Sequence, residues 1–285
     1  MAATPPDHEV TRFWRIPEYA DLELLRARYI QHRYALHTHD TYAIGVITYG
    51  SEAFIRGRKL WKGRTGEIVI VNPGEVHDGY AGDKRGWMYH VFYPSAHLLI
   101  QASAGLSNTS NERLPYFPQG VIQDNYLFDL MLRLHQTLET SQSRLERDSH
   151  FLWTMTQLIA RHAAPSLTDG MLGQVPQAIH RACDYIQQNY AENITLKELA
   201  AVCGLSQYHF LRTFRRDLGL TPHAYLNHVR VLRAREMLQR GYPIAQAAVN
   251  VGFVDQSHLH RHFKRIVGVT PGQYALTSTG FGLSV

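Results

Sequence analysis

Cysteine is nearly absent from this chain. Cys183 and Cys203 are the two among 285 residues. They are too few for a disulfide framework, and both fall in helical patterns where they read as small core residues. No run of eighteen apolar residues occurs, which argues against a membrane-spanning helix. The stretch MAATPPDHEV lacks both a basic n-region and an apolar segment, so no signal peptide is expected and the cytoplasm is the expected compartment. Long biased tracts are missing too. With 45% apolar and 19% charged residues, the composition is globular, and the length suits two ordinary domains.

Acidic residues run short in one half only. From residue 175 onward there are 12 Lys/Arg and 6 Asp/Glu, a net of +6, whereas residues 1–174 hold 17 and 18, a net of −1. A basic excess confined to one half is the footprint of a polyanionic partner.

That half contains a repeat. Leu199–Pro222 and Ala247–Pro271 align Gly204 with Gly252, His209 with His258, Arg212 with Arg261, Phe214 with Phe263, and Thr221-Pro222 with Thr270-Pro271. One extra residue follows the second glycine. Thr195 and Glu198 form a capping box for a helix over Leu196–Val202, which Gly204 ends. Ser206 caps a second helix with Phe210, Phe214 and Leu218 inward, and Gln207, Tyr208, His209, Arg212, Arg215 and Arg216 outward. In the second copy Asp255 is the cap and Leu259 and Phe263 face inward. Gln256, Ser257, His258, His260, Arg261, Lys264 and Arg265 face out. One such pair is common among solvated surface helices. Two in tandem, both basic and with matched arginines, predict a doubled helix-turn-helix that binds nucleic acid. Pro176–Tyr190 is expected to be a covering helix. Pro222–Arg240 is the joining helix, able to hold the recognition helices about 34 Å apart. Its Arg230, Arg233, Arg235 and Arg240 suit either phosphate contact or plain surface charge.

On the Ile194–Ala200 segment, the Gly204-Leu205-Ser206 turn, Val251-Gly252-Phe253, Ser257–Lys264 and Gly268–Tyr274, residues 178–275 resemble the DNA-binding domain of the AraC/XylS family of bacterial transcription regulators. The resemblance implies base-edge readers at Tyr208, Leu211 and Arg212, and at Gln256, Ser257, His258 and Arg261. Gln207, His209, Arg215 and Lys264 complete the implied DNA-binding set. Leu211 can offer only apolar contact.

The first half reads as strands. Residues 1–29 give little, with Glu18–Arg28 a short helix or an edge segment. Tyr42–Tyr49, Ala53–Ile55, Ile68–Val71 and Trp87–Tyr93 are β-rich, with Gly50-Ser51, Arg56-Gly57-Arg58 and Asn72-Pro73-Gly74 as punctuation. A small antiparallel barrel or jelly roll is expected. A short helix is expected near Ala96–Ala104, within an irregular segment 94–120. Two helical stripes follow, Leu127, Leu130, Met131, Leu134 and Leu138, then Phe151, Leu152, Met155, Leu158 and Ile159. Ala163–Gln174, with Pro165, Gly170 and Gly173, reads as a linker.

His37-Thr38-His39 and the Gly66–His77 segment resemble the paired motifs of the cupin fold, in the form AraC-type regulators use for effector binding. Metal cupins follow His-x-His with a glutamate. Ala43 and Ile44 stand there in this chain, so no metal and no cofactor is expected. His37, His39, Tyr42 and His77 are expected to contact a small polar effector directly.

The expectation is therefore an α+β chain in three parts. Residues 1–165 form a cupin-like β-barrel (jelly roll) with flanking helices, 166–174 a linker, and 175–280 an all-α double helix-turn-helix with a long joining helix. The resemblance implies as partners double-stranded operator DNA, RNA polymerase, the effector and a second copy of the chain meeting through the barrel's helices. A transcriptional regulator, activator or repressor, without enzymatic activity is expected. Two competing readings remain. One is a metal-cupin oxygenase or isomerase with a DNA-binding appendage. The other is an effector-independent regulator whose barrel only dimerises.

Overall fold

Strand follows strand from Val10 to Tyr93 in the computed structural model, which describes residues 6–103, 114–164 and 176–276. They are β1 (Val10–Ile16), β2 (Leu22–Tyr29), β3 (Arg33–His37), β4 (Ala43–Arg56), β5 (Lys59–Arg64), β6 (Ile68–Val71), β7 (His77–Ala81) and β8 (Trp87–Tyr93), with β9 (Val121–Ile122) later. The order is β1-β2-β8-β4-β6-β9, with β5 and β7 also on β4 and β3 on β7. β4 organises both sheets. Its first part, Ala43–Gly50, pairs with β6 and β8, and its second, Ser51–Arg56, with β5 and β7, all antiparallel.

Two sequence expectations change here. Gly50-Ser51 does not divide two strands, because β4 runs through it. The register shifts between Ile47 and Tyr49, Gly50 takes φ +68°, and a Cβ there would lie 2.0 Å from the Gly86 carbonyl oxygen. Glycine absorbs the bend while Ser51 N–H still donates to Gly86 O at 3.2 Å, as in a β-bulge. Glu18–Arg28 is not a helix either. A 3-10 turn at Pro17–Tyr19 leads into β2, which β1 and β8 flank on both sides.

One face of this sheet buries Leu22, Leu24, Tyr42, Ile44, Val46, Ile68, Ile70 and Phe92 against helices. α1 (Ala96–Ser103), α2 (Asn125–Thr140) and α3 (Arg144–His162) supply the other side. Leu127, Met131, Leu134 and Leu138 of α2 and Phe151, Met155, Leu158 and Ile159 of α3 are buried. Leu152 was expected in the stripe and is 54% exposed. It lies one step off the 151–155–159 line, on the solvent side of the helix.

The chain forms two compact units. The expected linker 166–174 lies outside the described residues. Residues 176–276 fold as α4 (Gln177–Gln188), α5 (Leu196–Cys203), α6 (Gln207–Leu218), α7 (Pro222–Gln239), α8 (Ile244–Asn250), α9 (Gln256–Val267) and α10 (Pro271–Leu276). The caps sit where the sequence puts them. Thr195 and Glu198 close a capping box, Ser206 and Asp255 accept from the third N–H of their helices, and Gly204 takes the left-handed conformation after α5. Phe210 and Phe214 join Ile179, Ile186, Leu199 and Leu226 in one core. Around α9, Leu259, Phe263 and Ile266 are buried, as are Ala247, Ala248 and Val251 of the α8 segment and Tyr274 of α10. Both cysteines are free, Cys203 buried and Cys183 half-buried. Among the described residues no helix is long and apolar enough to cross a membrane.

Candidate nucleic-acid interface and histidine cluster

α6 and α9 present basic faces because their apolar residues recur at helical spacing and leave the opposite side to solvent. Gln207, Tyr208, His209, Leu211, Arg212, Arg215 and Arg216 are exposed on α6, with Tyr208 at 75%. On α9, Gln256, Ser257, His260, Arg261 and Arg265 are exposed, and His258 and Lys264 are half-buried. His258 packs edge-on to Phe253 at 5.1 Å and lies 4.9 Å from His262. Burial first, then neighbouring His258, holds His262 down at about 4, so that ring is neutral near pH 7. Arg216 is paired with Asp217.

The joining helix α7 has 18 residues, about 27 Å at 1.5 Å each. Arg230, Arg233 and Arg235, undecided in the sequence, have partners within the protein. Arg230 donates to Tyr190 O at 2.7 Å and Glu192 O at 2.9 Å, clamping the turn between α4 and α5. Arg235 donates to the Tyr274 hydroxyl at 3.0 Å, and Arg233 pairs with Glu236 at 3.2 Å.

A histidine cluster lies where β3 meets β7. His37 ends β3, His39 follows it, and His77 opens β7, the strand β3 pairs with. Strand pairing brings residues forty positions apart into one cluster, in which one ring nitrogen of each lies within 4.8 Å of the others. His37 and His77 are buried and His39 is half-buried. The rings of His39 and His77 meet edge to face at 4.8 Å. Each Nδ1 contacts a backbone carbonyl: His37 to Ala35 O at 2.8 Å, His39 to Thr41 O at 2.7 Å, and His77 to Glu75 O at 2.9 Å. A carbonyl only accepts, so every Nδ1 is the donor and Nε2 is the basic nitrogen of each neutral ring.

A buried frame holds the loop that carries His77. Arg56 pairs with Glu75 and donates to Ile70 O at 3.1 Å. Asn72 exchanges hydrogen bonds with the Phe117 backbone, both at 2.9 Å. Gly74 takes φ +76°, and its N–H donates to His39 O at 2.9 Å. That bond ties the two histidine segments together.

Tyr42, expected with the histidines, is placed elsewhere. It is fully buried, donates its hydroxyl to Pro115 O at 2.5 Å and packs on Phe117 at 5.8 Å. Just ahead of β4, its side chain joins the helix-covered core. Glu52 is the residue that sequence reading missed. On β4 it is buried, and its carboxyl is pushed up to about 8 by burial and then by Asp78. Its neighbours Ser51 and Gly50 read as a turn, which hid a carboxylate on a buried strand.

Similarity to known proteins falls on the same two regions. Residues 19–155 match the AraC-like ligand binding domain family and residues 199–276 a helix-turn-helix domain family. The uncharacterized HTH-type transcriptional regulator YbfI of Bacillus subtilis is 30% identical over 252 residues, 87% of this chain and 90% of that protein. The MmsAB operon regulatory protein of Pseudomonas aeruginosa is 25% identical, over 87% of this chain and 79% of its own length. The structure of unsaturated fatty acid bound ToxT from Vibrio cholerae superposes with a TM-score of 0.53 at 12% identity, covering 99% of this chain and 100% of that one, a likeness of fold. A β-rich unit of ligand-binding type, a doubled helix-turn-helix with two outward basic faces, and relatives that match across both units lead to one conclusion: the chain belongs to the AraC family of transcriptional regulators.

Proposed function

We propose that this regulator reads a specific operator through α6 and α9 and that a small effector bound in the strand-rich unit sets its activity. The observation that carries the proposal is the exposure of Arg212 and Arg261 at equivalent positions of two outward helix faces. Side chains early in such helices reach base edges, whereas basic residues further along neutralise phosphates. Tyr208, Leu211 and Arg212, with Gln256, Ser257, His258 and Arg261, are the readers. Gln207, His209, Arg215 and Lys264 sit beside the backbone. His37, His39 and His77 hold the effector. Effector binding shifts the population of arrangements that fit DNA, which requires different affinities for two states. The working form is a cytoplasmic homodimer that contacts RNA polymerase and carries out no catalysis.

Arg212→Ala and Arg261→Ala are each expected to cost roughly 1–3 kcal/mol of operator binding and to relax preference at one or two base pairs. Lys264→Ala should instead weaken all sequences alike and lower the salt slope by about 1. Binding of randomised operators at several salt concentrations separates the two classes. Uniform weakening by every variant would overturn the assignment of readers.

The charge split extends this to domains. A fragment beginning near Gln174 holds the whole basic excess and both helix-turn-helix units. It should fold, bind the operator and ignore effector. The 1–165 fragment should bind effector and dimerise. Operator specificity found in the N-terminal fragment would reverse the assignment.

A further inference from the structure

We propose that β5 docks the strand-rich unit on the phosphate backbone of the DNA that flanks the operator. The proposal rests on the operator reading above and adds a sequence-independent contact from the other unit. Arg58, Lys59, Lys62 and Arg64 are four cations within seven residues, with no acid among them, and all four are exposed. Surfaces ordinarily mix the two signs. Without these four, residues 1–174 would hold 13 Lys/Arg against 18 Asp/Glu, a net of −5. The strand is thus a cationic island on an acidic unit.

Strand register aims the charges. Among the described strands β5 pairs with β4 alone, so it is an edge. Gly63 stands opposite Glu52, which is buried, so that face of β5 is turned inward. Lys62 stands opposite Ala53, itself opposite Tyr80, and Arg64 stands opposite Ser51. Opposed residues share a face, and Lys62 and Arg64 therefore project from the outer one, beside Tyr80. The helices α1–α3 pack on the other half of β4, around Ile44 and Val46.

The nearby carboxylates are already engaged. Glu67 accepts from the Arg64 backbone N–H at 2.8 Å and from Gln123. Asp83 accepts from the Ser51 hydroxyl at 2.7 Å and pairs with Arg85. Asp78 is buried and accepts from the Ile55 N–H at 2.7 Å. Lys59 lies 3.8 Å over the Trp61 ring and Lys62 donates to Gly82 O at 2.9 Å, contacts that supply no counter-charge. Blocking an edge against another sheet takes a charge or two, not four of one sign. A row of cations without counter-charge suits a regular polyanion, and DNA is the polyanion that the C-terminal unit binds. Covalent connection to that unit raises the local concentration of phosphate, so contacts too weak to act alone add to the affinity.

The test uses the full-length chain and the duplex it selects from a randomised pool, either trimmed to the selected sequence or carrying long flanks. Affinity is followed against salt, where each neutralised phosphate adds about 0.9 to the slope of log affinity on log salt. For the wild type the slope should be steeper by about 2 on the flanked duplex, and Lys62→Gln/Arg64→Gln should lose that difference. Lys62→Arg/Arg64→Lys, which exchanges the cations, should keep it. So should Arg133→Gln/Arg144→Gln, which removes as much charge from exposed positions of α2 and α3. Equal wild-type slopes on the two duplexes, or equal losses from both charge removals, would overturn the proposal. So would a Lys62→Gln/Arg64→Gln variant that binds DNA as the wild type does but no longer supports transcription by purified polymerase, which would make this face a protein contact. A chain that selects no sequence would count against the operator reading alone, because phosphate contacts can still be compared on unselected long and short duplexes.

Discussion

Gly252→Ala is expected to destabilise the C-terminal unit by about 2–5 kcal/mol, and Gly204→Ala by only about 1–2 kcal/mol. The two glycines are equivalent in the sequence repeat, and both have positive φ, +89° and +68°. Alanine carries the left-handed penalty at either position. Around Gly204 a Cβ would meet nothing within 4 Å. At Gly252 it would lie 2.6 Å from the Ala191 carbonyl oxygen and 2.9 Å from Nη2 of Arg230. Backbone cannot step aside cheaply, and Arg230 is the clamp on Tyr190 O and Glu192 O. The second turn is thus packed against the α4–α5 turn of the first, whereas the first turn faces open space. Urea unfolding of the two variants measures the difference. Equal costs would mean that the contact with Ala191 contributes nothing.

Glu52→Gln is expected to raise the stability of the strand-rich unit at pH 7 by about 3 kcal/mol, a gain that vanishes near pH 4.5. The Glu52 carboxyl titrates at about 8 in the folded chain because burial, then Asp78, disfavours its charge. Its Oε2 has no hydrogen-bond partner. The unfolded chain titrates near the ordinary 4.3. Between these values the folded state binds the extra proton, so stability is full below about pH 4.5 and declines as pH rises towards 8. Glutamine removes the proton and the slope with it. On the acid side the sign is opposite. Burial lowers His90 to about 4 and His135 to about 2. These rings lie Nδ1 to Nδ1 at 3.1 Å, where α2 covers β8. Below about pH 6.5 the unfolded chain takes up protons these folded histidines refuse, so stability falls as pH falls towards 4. Thermal melts of wild type and Glu52→Gln from pH 4 to 9 should converge at the acid end and separate at the alkaline end. Parallel curves would show that Glu52 is ionised in the fold.

The sequence by itself determined the C-terminal unit. Its signals are local: a side-chain cap at Thr195, Ser206 and Asp255, glycine after α5, and apolar residues every three or four positions. Caps and helix faces are settled within one or two turns of chain, and duplication of the pattern set them apart from ordinary surface helices. The exposed set on α6 and α9 followed from the same periodicity. The basic half, the histidine motifs and β6 and β8 were legible for similar reasons, since short apolar runs between turn residues need little context.

Tertiary structure decided the remainder, because it depends on what lies across a sheet or behind a helix. β4 is one strand through Gly50 because Gly86, just ahead of β8, meets its backbone there. Tyr42 and His39 are three residues apart, yet only His39 joins the cluster, since the turn of chain before β4 sends Tyr42 into the core. Arg230 and Arg235 read equally as phosphate contacts or plain surface charge, and only packing shows that Tyr190, Glu192 and Tyr274 occupy them. Glu52 reads as surface charge until β5 and β7 close on either side of β4. The chemistry of the histidine cluster was least visible of all. Its motif is written in the sequence, but the atom each ring presents is set by the carbonyls that hold its Nδ1, and those are positioned by β3, β7 and the Asn72–Glu75 turn together.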